Sequence, residues 1–397
     1  MEGQTLIRTI FSKVLKASRF LREPSNISLF GPPRSRVVIF DKYYLDEIKI
    51  LVDEESISFF DPRYETRLFL IPFVKGLLNW ILTGFSFSLT HHYFVSFLKS
   101  SKPDLVLTAM DVSATFYSAR QSVASWSNSR FVVFQSGVRR ISDMNSLRAL
   151  LPRDTFFCLT EDYVEPWRGK VGSPKFVASG TLLSKFYVPR FGEVPQTRSA
   201  GFISNWRTEE NIYRRKGVAH AVFYKPEIAS LKLLLATLIE MDYSLEIMGS
   251  RVGSESEAEY EFYVSILGPG GWSFSARSDT KDSYRKLSRH SVLFATGTTM
   301  AYEALSSLKR IMFLDMQSVG HLRHEPGYPN HSNHKSSLLN LRDGEEGEWK
   351  RQIGALIQMS PEEYSSLAES WVGAMAVHTS DMDFIDQVTA LLDEDPK

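Results

Sequence analysis

An α/β protein of two domains is what this sequence predicts, on three observations. Short runs of β-branched and aliphatic residues, such as Val37-Val38-Ile39 and Val292-Leu293-Phe294-Ala295, alternate with segments of helical periodicity. The alternation runs through the chain twice, with residues 181–200 between the two series, carrying Pro189, Gly192 and Pro195 as a linker does. The strands are apolar throughout rather than apolar on one face only, which indicates parallel sheets covered on both sides. A length of 397 residues suits two such domains.

The first domain is expected over residues 1–190. Residues 1–23 read as an amphipathic helix. Leu6, Ile7, Ile10, Phe11, Val14 and Leu15 form its apolar stripe, Arg8, Lys13, Lys16, Arg19 and Arg22 lie elsewhere, and Pro24 ends it. Such a helix serves either as an anchor on an anionic membrane surface or as a helix packed on its own domain. A strand follows at 36–40. The apolar stretch Leu68–Leu89 carries Lys75 and Asn79 and reads as a buried or interfacial helix rather than a span. A helix ends near Lys99, Lys102-Pro103-Asp104 breaks the chain, and Leu105–Thr108 is a strand. Residues 112–126 are helical and Phe131–Phe134 is the next strand.

The second domain is expected over residues 199–375. Ala200–Ile203 is a strand. A helix over 226–240 starts at Pro226, with Ile228, Leu231, Leu234, Leu235 and Leu238 as its stripe. Strands follow at 245–248, 291–295 and 310–314, with helices at 283–289 and from Met300. Residues 317–348 read as a long surface loop. Its four histidines, at 321, 324, 331 and 334, lack cysteine partners and suit a solvated or substrate-facing loop better than a metal site. Residues 376–397 form a C-terminal helix able to cross back to the first domain.

Composition narrows the partners. Lys+Arg and Asp+Glu both number 46, so no global charge favours nucleic acid. Cys158 is the single cysteine, which excludes an intrachain disulfide and fits a reducing compartment. No signal peptide is visible, and the expected location is the cytoplasm, with peripheral contact at the inner membrane through residues 1–23.

In open parallel sheets ligands bind beyond the carboxyl ends of the strands, so the residues just after each strand carry the chemistry. Thr296-Gly297-Thr298-Thr299 ends a strand and opens a helix, which offers free amides and hydroxyls to an anion. Glu303, one turn on, can accept from ribose hydroxyls; simple capping explains the same residues. Gln135-Ser136-Gly137-Val138-Arg139-Arg140 follows the strand ending at Phe134, and its two guanidiniums suit a phosphate or a sugar carboxylate; a plain surface turn is the alternative. Asp111 follows the strand Leu105–Thr108. It is placed either as a general base on an acceptor hydroxyl or as the N-cap of the next helix. Ser204-Asn205-Trp206-Arg207 and Gly249-Ser250-Arg251 are weaker donor-phosphate candidates.

The order of these pieces resembles the GT-B glycosyltransferases of bacterial surface carbohydrate synthesis, which build capsule, lipopolysaccharide and O-antigen. The resemblance rests on Lys102–Leu107 leading to Asp111, on Phe131–Arg139, on Val177-Ala178-Ser179-Gly180, and on Tyr284–Leu314 around Thr298, Thr299 and Glu303. It implies two Rossmann-like domains with parallel sheets facing a central cleft. It implies a nucleotide sugar held by Ser204, Arg207, Gly249, Ser250, Arg251, Thr296, Gly297, Thr298, Thr299 and Glu303. A glycan or lipid-linked acceptor then lies near Gln135, Ser136, Gly137, Arg139 and Arg140, with Asp111 catalytic. No metal or other cofactor is expected, since helix ends and cationic side chains stabilise the leaving phosphate. The donor is either an NDP-hexose or a CMP-activated acidic sugar such as Kdo, although the His-Pro pair of many CMP-sugar enzymes is absent. Two rivals stand beside this reading: a sugar-nucleotide 2-epimerase of the same architecture, and a non-catalytic glycan-binding scaffold.

Overall fold

A computed structural model describes residues 26–42, 44–52, 57–61, 67–137, 147–159, 172–187, 197–296, 298–314, 338–341 and 346–372, with isolated positions 170, 386 and 390. The expected helices at 1–23 and 376–397, the four loop histidines, Gly297, Arg139 and Arg140 lie outside these residues.

The first lobe opens with β1 (Asn26–Ser28), β2 (Val37–Phe40), α1 (Leu45–Leu51), β3 (Ile57–Phe60) and β4 (Arg67–Phe69). It continues through α2 (Leu70–Leu82), α3 (Leu89–Ser101), β5 (Leu105–Thr108), α4 (Ala114–Val123), β6 (Arg130–Phe134), β7 (Thr155–Cys158), β8 (Lys175–Ala178) and α5 (Leu182–Tyr187). Six strands form one all-parallel sheet in the order β3-β2-β5-β6-β7-β8, and β1 and β4 pair separately. Successive residues of one strand enter opposite cores. Val38 and Phe40 join the aromatic cluster of Phe60, Phe94, Phe116 and Phe131, while Val37 and Ile39 pack with Ile48, Leu107 and Val132. Two apolar faces explain the unbroken hydrophobic runs in the sequence.

The second lobe runs through β9 (Ser199–Ile203), α6 (Glu209–Lys216), α7 (His220–Glu240), β10 (Ser244–Met248), α8 (Ser254–Leu267), β11 (Trp272–Ser275), α9 (Thr280–Lys286) and β12 (Val292–Ala295). It then passes through α10 (Thr299–Ser306), β13 (Ile311–Leu314), β14 (Asn340–Leu341), α11 (Glu346–Gln358) and α12 (Pro361–Val372). Its sheet is also all-parallel, in the order β11-β10-β9-β12-β13-β14.

Three expectations are corrected. The helix placed at 226–240 starts at His220 and holds Pro226 in its interior. The added turn buries Tyr224, whose hydroxyl accepts from the Arg207 amide at 2.8 Å, and this packing outweighs the proline penalty. Residues 181–200 are not a bare linker: 182–187 are helical and Leu182 and Leu183 are buried. The loop expected at 317–348 contains β14 and the start of α11, because Leu339 and Leu341 fill the second core.

At the amino end of the first sheet, Arg120 and Asp154 form an ion pair with both side chains fully buried, Nε to Oδ2 2.6 Å. Asp154 also accepts from the amides of Phe131 (2.9 Å) and Leu151 (2.7 Å), and the guanidinium lies over the Phe131 ring. Removing one member strands a buried charge. Asp154→Ala should therefore cost about 3–5 kcal/mol in chemical denaturation. A loss under about 1 kcal/mol, the range of an exposed pair, would contradict this account.

Candidate functional site

Each sheet has a topological switch point. In the first, β3 lies on one side of β2 and β5 on the other; in the second, β10 and β12 flank β9. The loops beyond these strand pairs diverge and leave a crevice between them. Among the described residues, polar side-chain contacts join the lobes, and they come from segments that leave carboxyl ends of strands. The Thr181 hydroxyl donates to Glu303 Oε1, Tyr187 donates to Glu47 Oε1, and Lys281 meets Asp46 at 3.2 Å. The carboxyl edges of the two sheets therefore face each other.

Asp111 sits at this edge of the first lobe and is 6% exposed. It is not the N-cap of α4. Ser113 takes that role, accepting from the Phe116 amide. The next strand's turn brings Ser136 to it, with Oγ donating to Asp111 Oδ1 at 2.6 Å, and the Tyr117 hydroxyl holds the Asp111 carbonyl at 3.0 Å. Two of the expected residues thus meet. Gln135 does not join them. Its Nε2 donates to the Gly137 carbonyl at 2.9 Å and its Oε1 accepts from the Leu159 amide at 3.0 Å, so it clamps the turn to β7. Gly137 serves the same clamp.

Sequence reasoning missed Asp41 and Asp61, both buried, directly after β2 and β3. Asp41 lies beside the switch point with φ 73, and its amide donates to Phe60 O at 2.7 Å. Their signal was plain: each is the first residue past an apolar strand.

In the second lobe the turn after β10 is closed by the protein itself. Glu259 of α8 is buried and accepts from the Ser204 hydroxyl, the Ser250 amide and hydroxyl, and the Arg251 amide. A carboxylate of the chain fills the nest expected for donor phosphate. Ser204 also bonds Tyr263 at 2.8 Å, and burial, followed by the Glu227 charge, pushes the Tyr263 phenol well up. Arg251 turns back on the Trp206 carbonyl, through Nε at 3.0 Å and Nη2 at 2.7 Å. Gly249 answers a packing need: a Cβ there would come within 2.7 Å of the Phe274 ring. Ser204, Gly249, Ser250 and Arg251, expected at the donor phosphates, thus also carry structural contacts.

The switch point between β9 and β12 keeps its polar groups at the crevice. Thr298 caps α10, accepting from the Ala301 amide at 3.2 Å, and Thr296, Thr298, Thr299 and Arg207 are all half-exposed. Thr296 Oγ1 lies 3.4 Å from Glu227 Oε2 of α7, a further acid that sequence reasoning missed. Glu303, expected at a ribose, is 2% exposed, and it receives Thr181 on one oxygen and Tyr284 on the other, at 2.5 Å, so it ties the lobes together. Thr181 follows Ser179-Gly180, a strand-end turn that the linker assignment hid. Among the described residues no cluster of three or more His, Cys, Asp and Glu could hold a metal ion.

A family model described as "putative O-antigen biosynthesis protein" matches residues 134–390. No curated protein matches the sequence. Among solved structures, a "putative UDP-N-acetylglucosamine 2-epimerase" from Listeria monocytogenes superposes with a TM-score of 0.54 at 14% identity, over 90% of this chain and 95% of that one. The S. aureus MnaA–UDP complex superposes with a TM-score of 0.52 at 12% identity, over 94% and 98%. A sucrose-phosphate synthase from Thermosynechococcus elongatus gives 0.48 at 13% identity, over 92% and 97%. The first two show the fold, the GT-B arrangement of two facing Rossmann-like lobes.

Burial raises the Glu303 carboxyl above its ordinary pKa of 4.5, against the pull of its two hydrogen bonds. A carboxyl whose folded pKa is raised holds its proton more tightly folded than unfolded. Its stabilisation is complete below the unfolded pKa and is lost as pH rises through the folded one. Glu303→Gln removes that loss. Thermal melting should show the Gln variant gaining on the parent as pH rises from about 4.5 to about 8. A difference that stays flat with pH would place this carboxyl at its ordinary value.

Proposed function

The chain belongs to this family of O-antigen biosynthesis proteins, and we propose that it works there as a metal-independent glycosyltransferase. It moves a sugar from a nucleotide donor to a glycan or lipid-linked acceptor. The observation that carries the reading is the pairing of chemistries across one crevice. A carboxylate held by a serine hydroxyl lies at the edge of the first sheet, and a hydroxyl-rich helix N-terminus lies at the switch point of the second.

The acceptor hydroxyl binds beside Asp111. Ser136 fixes the carboxylate's orientation through Oδ1, and the carboxylate takes the acceptor proton as the oxygen attacks the anomeric carbon. The bond from that carbon to the donor phosphate breaks, and negative charge grows on the leaving nucleotide. The N-terminus of α10, with Thr296 and Thr299, receives this charge through backbone amides and hydroxyls, aided by the helix dipole. Arg207 adds a cation beyond β9, the strand neighbouring β12. A dry crevice strengthens each of these interactions.

A second reading is a sugar-nucleotide 2-epimerase, the activity ascribed to the Listeria protein and to a further superposing structure. It would turn over donor with no acceptor present, so incubation with nucleotide sugar alone separates the two.

Three outcomes are expected. Asp111→Asn should lower transfer by roughly 10²–10⁴-fold with an unchanged melting temperature, and near-normal turnover would remove Asp111 from the mechanism. Thr296→Ala with Thr299→Ala should weaken the preferred nucleotide among CMP, UDP, GDP and dTDP by about tenfold or more in calorimetry, two hydrogen bonds to charged oxygen being lost. Thr298 is spared in this variant because it caps α10. Transfer should also persist in excess EDTA, and abolition that added divalent metal reverses would overturn metal independence.

A further inference from the structure

The helix α2 is apolar on both sides. One side, with Pro72, Phe73, Gly76 and Trp80, is buried against α3. The other presents Ile71, Val74, Leu78, Ile81 and Leu82, spaced as one helical stripe and between 43% and 81% exposed, with Phe87 just beyond. The stripe cannot roll inward. A Cβ on Gly76 would stand 2.7 Å from the Tyr93 backbone, so the two helices touch main chain to main chain. Trp80 Nε1 donates to the Phe87 carbonyl at 2.9 Å and the Phe69 amide donates to the Tyr93 hydroxyl at 3.0 Å. Monomeric soluble proteins seldom keep such a continuous apolar face without a use for it.

The charges around it select the partner. No Asp or Glu occurs between Glu65 and Asp104, whereas Lys75, Lys99 and Lys102 do, and Lys75 lies exposed on α2 itself. The pairing of β1 with β4 sets Ser28 opposite Phe69, the residue before α2. Ile27, Leu29 and Phe30, around Ser28 in the chain, are exposed. A second copy of this face would set Lys75 against Lys75 with no acid from residues 66–103 to offset them. An anionic lipid surface supplies both the apolar phase and the missing negative charge.

We propose that the outer face of α2, with Lys75, is the surface by which the first lobe docks on an anionic bilayer. Among the described residues no helix is long and apolar enough to cross a membrane, so the contact is interfacial. The inference stands apart from the catalytic reading.

The test is flotation of the full-length protein with vesicles of phosphatidylcholine alone or with about 30% phosphatidylglycerol. The parent should float with the anionic vesicles only, and less at high salt. Leu78→Asp with Ile81→Asp should cut this binding by about tenfold or more while leaving the lipid-free melting temperature unchanged. A parent that ignores anionic vesicles, or a variant that floats equally well, overturns the proposal. So does a lipid-free parent dimer that the variant turns into monomers, which would assign the face to a second copy. A variant that melts several degrees lower without lipid would mean that the chain's own N-terminal segment covers the face, and equally overturns it.

Discussion

A parallel strand buried on both faces has nowhere to put a polar side chain except beyond its ends. Both lobes obey this constraint. β2, β5, β12 and β13 are buried at every position, and the polar groups that matter collect where the strands stop. Asp41, Asp61, Asp111 and Ser136 line the carboxyl edge of one sheet, and Ser204, Thr296 and Thr298 line that of the other. Facing the two edges turns two rows of strand-end residues into one crevice.

Burial at these edges also decides which polar residues remain for a ligand. A buried acid in need of donors takes them from the nearest turn. Glu259 takes the amides after β10, and Glu303 takes hydroxyls from both lobes. Among the described residues of the second lobe, the turn after β12, whose strand lies next to β9 at the switch point, holds three part-exposed threonines. One lobe presents a carboxylate, the other a helix N-terminus, and neither alone could both activate an acceptor and stabilise a leaving phosphate.

The tie through Thr181, Glu303 and Tyr284 joins the tail of the first lobe to the helix that opens at the candidate donor turn. Tyr187 with Glu47, and Lys281 with Asp46, lie on neighbouring elements of the same interface. Movement between the lobes must therefore strain or break hydrogen bonds within one turn of the residues that would hold nucleotide. The outer surface of α2 belongs to a different part of the first lobe, where apolar groups are exposed.

Much of this was legible in the chain itself. Runs such as Val37–Phe40 and Val292–Ala295 reveal strands because local apolar composition reports burial, and Thr298 reveals a helix start because capping is a local interaction. The partners of Gln135, Ser250 and Arg251 could not be read from such patterns. Their hydrogen bonds go to Leu159, Glu259 and Trp206, residues separated from them in sequence and joined only by the fold. Sequence by itself thus determined the α/β class, the two series of strands and the turns where polar groups gather, all governed by contacts between near neighbours. Only the tertiary structure decided which polar residues the protein satisfies internally and which it leaves at the crevice, because a buried donor or acceptor bonds whatever the packing brings within about 3 Å.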